Sequence, residues 1–170
     1  PPMYTALVSR LLFPLHERLK HHESVAVRSR AEETQWWTPE RLQGLQIERL
    51  RKMLVDVGRH VPYYRELFKA QGFDPAAVAS LADLRRLPFL TKSVIRAHTP
   101  ALKHEQATYL ARFNTGGSSG EPLVFFIGRE RTSHDVAAKW RATRWWGVDI
   151  GDPEMVVWGS PIELGAQDRV

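Results

Sequence analysis

The 170 residues of the chain include no cysteine. Disulfide bonds, thiolate metal sites and a cysteine nucleophile are therefore excluded for this chain. The sequence also lacks any apolar run approaching the roughly 20 residues that a membrane-spanning helix needs. These absences exclude an integral membrane protein within this sequence and predict a reducing, cytoplasmic setting.

Basic residues only slightly outnumber acidic residues in this chain. The chain has 24 basic and 19 acidic residues, a net charge of +5, with 43% hydrophobic and 25% charged residues. This composition is typical of a globular protein, and the small positive surplus suits a polyphosphate or an anionic surface without implying nucleic-acid binding. Because the sequence begins at Pro1 and ends at Val170 without a recognisable cap, we expect it to be part of a longer protein.

Residues 3–20 form a predicted amphipathic, basic helix that Pro14 should kink. Its apolar positions recur four residues apart, at Leu7, Leu11, Leu15 and Leu19. Arg10 interrupts the apolar part, so the segment does not fit a secretory signal. Two interpretations stay open for the leucine stripe, namely packing on the body of the protein and peripheral contact with the inner face of a membrane.

The next part of the chain, up to about residue 100, is predicted to be helical. Thr38-Pro39 is typical of a helix start, and an apolar stripe continues to about Arg59. Three shorter helical segments are expected after it, the first from Val61 to about Gly72, the second starting with a capping box at Ser80–Asp83 and the third from Thr91 to about His98.

Strand-forming residues appear only after about residue 107. They occupy 109–113 and 123–128, a helix is predicted from about Arg129 to Trp146, and a buried strand is predicted at 154–158. The predicted fold class is α/β, incomplete, with a helical N-terminal region before the start of a nucleotide-binding domain. The predicted divisions are 1–37 (amphipathic helical extension), 38–106 (helical region) and 107–170 (α/β start with a loop at 114–122).

The loop between the first two predicted strands has a composition that folding alone does not explain. Residues 115–120 consist of three glycines and three hydroxyl residues. Backbone N–H groups and hydroxyls in such a loop can turn inward and hydrogen-bond an anion. The candidate phosphate-binding residues are Thr115, Gly116, Gly117, Ser118, Ser119 and Gly120.

Three other interpretations of the loop were weighed. A Walker-type loop needs a lysine and a following helix, and neither is present. The pattern G-x-S-x-G at 116–120 would make Ser118 the nucleophile of a serine hydrolase. The sharp turn that carries such a nucleophile, the nucleophile elbow, must lead directly into a helix, whereas a predicted strand follows this loop. A glycine–serine linker without a ligand is the third.

Residues 115–122, Thr-Gly-Gly-Ser-Ser-Gly-Glu-Pro, resemble the phosphate-binding motif of acyl-adenylate-forming enzymes, the AMP-dependent synthetase and ligase superfamily. Two further motifs, Val61-Pro62-Tyr63-Tyr64-Arg65 and 87–92, resemble the phenylacetate–coenzyme A ligase and CapK-type branch of that superfamily. The three motifs occur in the family's order, and the resemblance covers about 42–170.

The resemblance implies an ATP-dependent ligase that forms an acyl-adenylate from a small carboxylic acid and passes the acyl group to coenzyme A or another acceptor. ATP, Mg²⁺ and coenzyme A are the implied cofactors, and the CapK side implies a role in polysaccharide biosynthesis. Many relatives carry a lysine directly after the motif's proline, where this chain has Leu123. The family's adenine, ribose, hinge and catalytic motifs would lie beyond Val170, so residues 1–170 alone are expected to be inactive and no catalytic residue or protein metal site is assigned.

Other candidate residues have structural explanations. Ser133-His134-Asp135 cannot form a triad because neighbours on a helix point about 100° apart. His21-His22-Glu23 is expected to be a solvated helix end, and Trp140, Trp145 and Trp146 are expected in the core. The basic residues of the last helix are expected to face water. The function classes left open are the adenylating ligase, a serine hydrolase with Ser118, and a non-catalytic module that docks on a membrane or partner.

Overall fold

A computed structural model describes residues 3–115, 122–155 and 157 of the chain. This part of the chain contains seven α-helices and two strands. The helices are α1 (Met3–Leu7), α2 (Phe13–Leu19), α3 (Ser24–Thr34), α4 (Pro39–His60), α5 (Pro62–Ala70), α6 (Lys92–His98) and α7 (Arg129–Arg144), and the strands β1 (Ala111–Asn114) and β2 (Val124–Ile127) lie between α6 and α7.

A π-helical turn, Val8–Leu12, joins α1 to α2, and the Phe13 N–H donates to the Val8 carbonyl five residues earlier. The predicted irregularity at Pro14 therefore takes the form of a wider turn directly before the proline, where the missing N–H would otherwise interrupt the helical ladder. The face of this segment that is turned inward is polar, since Thr5, Ser9 and Glu17 are buried. The four stripe leucines are exposed, so they do not pack on the part of the protein that the structure describes.

Helix α4 and the segments that follow it match the predicted helical region. Thr38 caps α4, and its side chain accepts a hydrogen bond from the Arg41 N–H. Gly72 follows α5 with a φ of +54°, a conformation that glycine adopts without strain. The capping box at Ser80 starts a 3₁₀ helix, Leu81–Arg86, rather than an α-helix.

The core of the helical region lies where α4 and α5 meet the chain that follows them. Leu54 from α4 and Phe68 from α5 pack with Phe73 and Val78, and all four are buried. The Arg51 Nε donates to the Val78 carbonyl at 2.9 Å and ties this following segment to α4. The apolar stripe predicted for α4 thus points into a real core.

Helix α3 lies within the predicted helical extension 1–37, but its own bounds were not predicted, because its sequence has no apolar stripe. Its stability comes instead from partners distant in sequence, since it packs against α7. The Arg28 guanidinium lies 4.1 Å from the centroid of the Trp140 ring and also pairs with Glu32. Ser133 accepts a hydrogen bond from the Glu23 N–H at the start of α3. The residues that stabilise α3 therefore lie largely in α7, against which it packs, rather than in α3 itself.

Trp140 is the only one of the three tryptophans near the end of α7 that confirms the core prediction. It is buried, its ring meets Phe13 edge to face at 5.1 Å, and its Nε1 donates to Asp149 Oδ1 at 2.6 Å. Trp145 and Trp146 are exposed, so their assignment to the core is wrong. They follow α7, which ends at Arg144 with Trp145 as its C-cap.

The strands form a two-stranded antiparallel sheet. The buried strand predicted at 154–158 is not observed in its described residues, since 154, 155 and 157 lie outside any strand and Met155 and Val157 are exposed. A strand needs a neighbour for its backbone groups, and the sheet of the described residues contains β1 and β2 alone. The α/β fold class, with helices first and a strand–loop–strand–helix unit after them, is confirmed. No helix of the described residues is both long and apolar enough to span a bilayer.

Candidate phosphate-binding site

The strands β1 and β2 fix the two ends of the glycine-rich loop. Their register pairs Arg112 with Phe126 and Asn114 with Val124. One step further on, the Thr115 N–H donates to the Leu123 carbonyl, and the Leu123 N–H donates to Thr115 Oγ1, both at 3.0 Å. The loop therefore leaves the sheet and returns to it at a closed pair of residues, as predicted.

Of the six candidate phosphate-binding residues, the structure describes one. Thr115 lies at the loop's start and is exposed. Its hydroxyl oxygen accepts from Leu123, which leaves the hydroxyl hydrogen available to donate to a ligand. Gly116, Gly117, Ser118, Ser119 and Gly120 lie outside the described residues, and their role stays a prediction.

The segment after the loop bears on the serine hydrolase alternative. An elbow that carries a nucleophilic Ser118 must run straight into a helix. Here β2 comes first, and the next helix begins at Arg129. This order is unfavourable for a hydrolase and is the order found when a loop connects two strands.

Two basic side chains lie on one face of the β1–β2 pair. Arg112 and Phe126 are cross-strand partners, so their side chains share a face. The Lys103 Nζ lies 4.0 Å from the centroid of the Phe126 ring, on that face. The sequence carries no signal for Lys103, because this residue lies outside the loop and no local pattern links position 103 to position 126.

The basic residues of α7 are mostly exposed to water, as predicted, and they also have partners within the protein. Arg129 stacks on the Tyr109 ring at 3.9 Å, and Arg141 lies 5.2 Å from the Trp145 centroid. Arg131 pairs with Asp135, Lys139 with Glu154, and Arg144 with Glu32 and Asp149. Arg131, Lys139 and Arg144 are therefore paired with carboxylates, whereas Arg129 and Arg141 lie over aromatic rings.

The motif at Val61–Arg65 connects the helical region to the chain that leads into β1. The Tyr63 N–H donates to the Ala101 carbonyl at 3.0 Å. Arg65 Nη2 contacts Glu105 Oε2 at 2.5 Å and the Arg59 carbonyl at 2.6 Å. In the described structure this motif therefore holds the segment of the chain that leads into β1.

A groove of about 570 Å³ lies away from the loop, between α4, α5 and residues 84–90. Its lining is mostly apolar and includes Leu67, Leu87 and the rings of Tyr63 and Tyr64. Burial raises the pKa of the Tyr64 hydroxyl. The second family motif, at 87–92, contributes one wall, and Phe89 at that wall is exposed.

The remaining candidate residues have structural partners. Ser133 is buried, and its hydroxyl donates to the Arg129 carbonyl and accepts from Glu23. Asp135 pairs with Arg131 rather than with His134, so no triad forms here. His22 Nδ1 lies 3.2 Å from Glu17 Oε2, and Glu17 also accepts from the buried Ser24 at 2.5 Å. His22 thus takes part in a local hydrogen-bond network, while His21 and Glu23 are exposed, as expected for a solvated helix end.

Comparison with known proteins found four that match parts of this chain. Phenylacetate–coenzyme A ligase of Thermus thermophilus is 38% identical over 90 residues, which are 50% of this chain and 20% of that protein. Phenylacetate–coenzyme A ligase of Aromatoleum evansii is 36% identical over 129 residues, which are 73% of this chain and 29% of that protein. Protein CapK of Staphylococcus aureus is 25% identical over 93 residues, 55% of this chain and 20% of CapK.

No family model matches the chain. The chain spans between 20% and 29% of the length of the relatives that it matches. The matches include both phenylacetate–coenzyme A ligases and CapK, the two kinds of protein that give the branch indicated by the three motifs its name. The resemblance of this chain to part of a protein of the phenylacetate–coenzyme A ligase and CapK branch is therefore confirmed.

Proposed function

We propose that the chain supplies the phosphate-binding loop of an ATP-dependent ligase that joins a carboxylic acid to coenzyme A. The observation that carries the proposal is the strand–loop–strand unit closed by Thr115 and Leu123, in a chain similar to phenylacetate–coenzyme A ligases. The Thr115–Leu123 pair fixes the two described ends of the loop, and donors preorganised around phosphate oxygens are what stabilise the charge that develops there.

The reaction proposed has two steps. A carboxylate oxygen attacks the α-phosphorus of ATP, and pyrophosphate leaves with the bonding electrons, which gives an acyl-adenylate. The thiol of coenzyme A, having lost its proton, then attacks the acyl carbon, and AMP leaves. Residues 115–120 bind and orient the β- and γ-phosphates during the first step, through hydroxyls and through backbone N–H groups that glycine leaves accessible.

Positive charge is also needed beside the phosphates, because position 123 holds leucine. Lys103 and Arg112 share the face of the hairpin that ends at the loop, and the described residues include no acidic side chain in salt-bridge contact with either. We assign to them part of this role. Mg²⁺ bound with ATP would supply further neutralisation.

The acid is proposed to be aromatic and the acceptor to be coenzyme A. Three of the matching proteins are phenylacetate–coenzyme A ligases at 36–38% identity, against 25% for CapK. A role in polysaccharide biosynthesis is the second candidate, and the similarity to CapK is what favours it. The two differ in the acyl acceptor rather than in the adenylation step.

Residues 1–170 alone are proposed to be inactive, because the similarity covers only a part of the relatives' length. Adenine contacts, ribose contacts and the catalytic lysine expected from the resemblance would come from other residues. In this proposal the chain positions phosphates and does not complete the reaction.

The test is exchange of labelled pyrophosphate into ATP by a protein that contains this chain within a sequence of the relatives' length. Exchange should require phenylacetate, and Ser118→Ala should lower its rate by roughly 100-fold, as for loss of one preorganised donor. Arg112→Gln should raise the KM for ATP, while Lys69→Gln, an exposed change on α5, should leave it unchanged. Exchange that is independent of any carboxylic acid, or labelling of Ser118 by a fluorophosphonate, would overturn the proposal.

A further inference from the structure

The first helical segment presents an apolar surface to solvent. Leu7, Leu11, Leu15 and Leu19 are between 47% and 73% exposed, and Met3, Tyr4 and Leu12 extend the surface. We call this set the leucine surface. A contiguous apolar area on one helix face is unusual for a surface that meets only water and marks an interaction site.

The segment is held to the protein by its opposite, polar face. Thr5 Oγ1 donates to Asp152 Oδ1 at 2.6 Å, Glu17 accepts from Ser24, and Phe13 packs on Trp140. These contacts fix the orientation of the helix, so the leucines are directed outward by specific bonds on the other side. In the described structure the leucine surface is therefore a fixed part of the protein rather than a loose end.

The charges around the leucine surface are of one sign. Arg10, Arg18 and Lys20 are exposed along the same segment, while the single acidic residue of positions 3–22, Glu17, is buried. An exposed apolar face bordered by basic side chains is the pattern of helices that lie in the interface of an anionic bilayer. A second copy of the chain is a poor occupant, because a self-complementary contact would bring these basic groups together without acidic partners.

We propose that the leucine surface docks on an anionic lipid membrane, with the leucines inserted at the level of the acyl chains and Arg10, Arg18 and Lys20 among the lipid headgroups. The helix lies along the membrane and does not cross it. The contact would hold the α/β part of the chain near the membrane, through the packing of α3 and Phe13 on α7. This inference is independent of the proposed ligase activity.

The test is flotation of the 170-residue chain with vesicles of phosphatidylcholine alone and with vesicles containing about 30% phosphatidylglycerol. Binding should occur with the anionic vesicles only and should weaken as salt is raised, because salt screens the charges. The double variant Leu11→Asp/Leu15→Asp should lose binding. Leu81→Asp, which changes an exposed leucine outside the segment, should bind as the unchanged chain does.

Neutralising the basic residues tests the second half of the proposal. The triple variant Arg10→Gln/Arg18→Gln/Lys20→Gln should bind about 100-fold more weakly, since each basic residue near the surface contributes about fivefold. Circular dichroism would show that each variant keeps its helices. The proposal would be overturned if the chain did not bind anionic vesicles, or if it bound neutral vesicles equally well. It would also be overturned if the chain self-associated through the leucine surface, so that Leu11→Asp/Leu15→Asp abolished the association, while neither the unchanged chain nor the variant bound vesicles.

Discussion

The Thr115 hydroxyl replaces a backbone carbonyl as the acceptor for the Leu123 N–H, at 3.0 Å, one step beyond the last pair of the β1–β2 ladder. A side chain thus closes the loop at the position where the family motif begins. Threonine is suited to both tasks, because its oxygen accepts from the backbone while its hydrogen stays available to a ligand. Leu123 contributes through its backbone, so this contact does not depend on the side chain at position 123.

Replacing Thr115 by valine should free the end of the loop. The variant keeps the shape of the side chain and removes the acceptor, so the Leu123 amide loses a hydrogen bond worth about 1 kcal/mol. Amide hydrogen exchange at Leu123, followed by NMR, should become roughly fivefold faster. Thr115→Ser should exchange at the original rate, and so should the control Thr108→Val in the segment before β1. An unchanged rate in Thr115→Val would show that the hydroxyl does not hold the loop.

Local signals were sufficient for the elements that carry their own start and stop residues. Thr38-Pro39 at the start of α4, Gly72 after α5 and Thr91 before α6 all lie where the sequence placed them. Capping and turn residues act through bonds to neighbouring backbone groups, so their effect can be read without knowledge of the rest of the fold.

Features that depend on distant contacts could not be predicted in the same way. Helix α3 exists because α7 covers it, and the leucine stripe faces outward because Thr5 and Glu17 find polar partners inside. Periodicity alone places leucines on one face of a helix but does not say which face is buried. Lys103 reaches the hairpin for a similar reason, through a contact with Phe126 that no local pattern encodes.

Trp140 connects the N-terminal helices to α7, and truncating it should be severe. Trp140→Ala removes the contacts with Phe13 and Arg28 from a buried site and should lower the free energy of unfolding by about 3–5 kcal/mol. Trp146→Ala, at an exposed ring near the end of the same helix, should change it by less than about 0.5 kcal/mol. Urea denaturation measures both. Equal effects of the two changes would show that Trp140 does not join these parts of the chain.

Asp83 should make the stability of the chain depend on acid pH. Hydrogen bonds from the Ala79 and Ser80 N–H groups hold the pKa of the Asp83 carboxyl below its ordinary value of 3.8. Since the folded state binds this proton more weakly than the unfolded state, the stabilisation is complete above 3.8 and is lost as the pH falls through the folded pKa.

An NMR titration of the Asp83 carboxyl should therefore have its midpoint below 3.8. Asp83→Asn cannot titrate, so its unfolding free energy should fall less steeply in this pH range than that of the unchanged chain. A midpoint at or above the ordinary value would mean that the capping box does not favour the charged form.

Two glycines of α4 should respond to alanine in opposite directions. A Cβ at Gly44 would meet nothing within 4 Å, whereas a Cβ at Gly58 would lie 3.0 Å from Phe68 Cδ2. Gly44→Ala should stabilise the chain by about 0.5–1 kcal/mol, because alanine loses less backbone freedom in a helix. Gly58→Ala gains the same helix propensity but presses on a buried ring, and overpacking of this kind costs about 1–3 kcal/mol.

The expected result is therefore a stabilised Gly44→Ala and a Gly58→Ala that is destabilised by about 1 kcal/mol, measured by urea denaturation of the two variants side by side. Because both changes lie in one helix and add one methyl group, helix propensity cancels in the comparison. What remains is the contact with Phe68, so a Gly58→Ala as stable as Gly44→Ala would show that α5 does not pack closely against the end of α4.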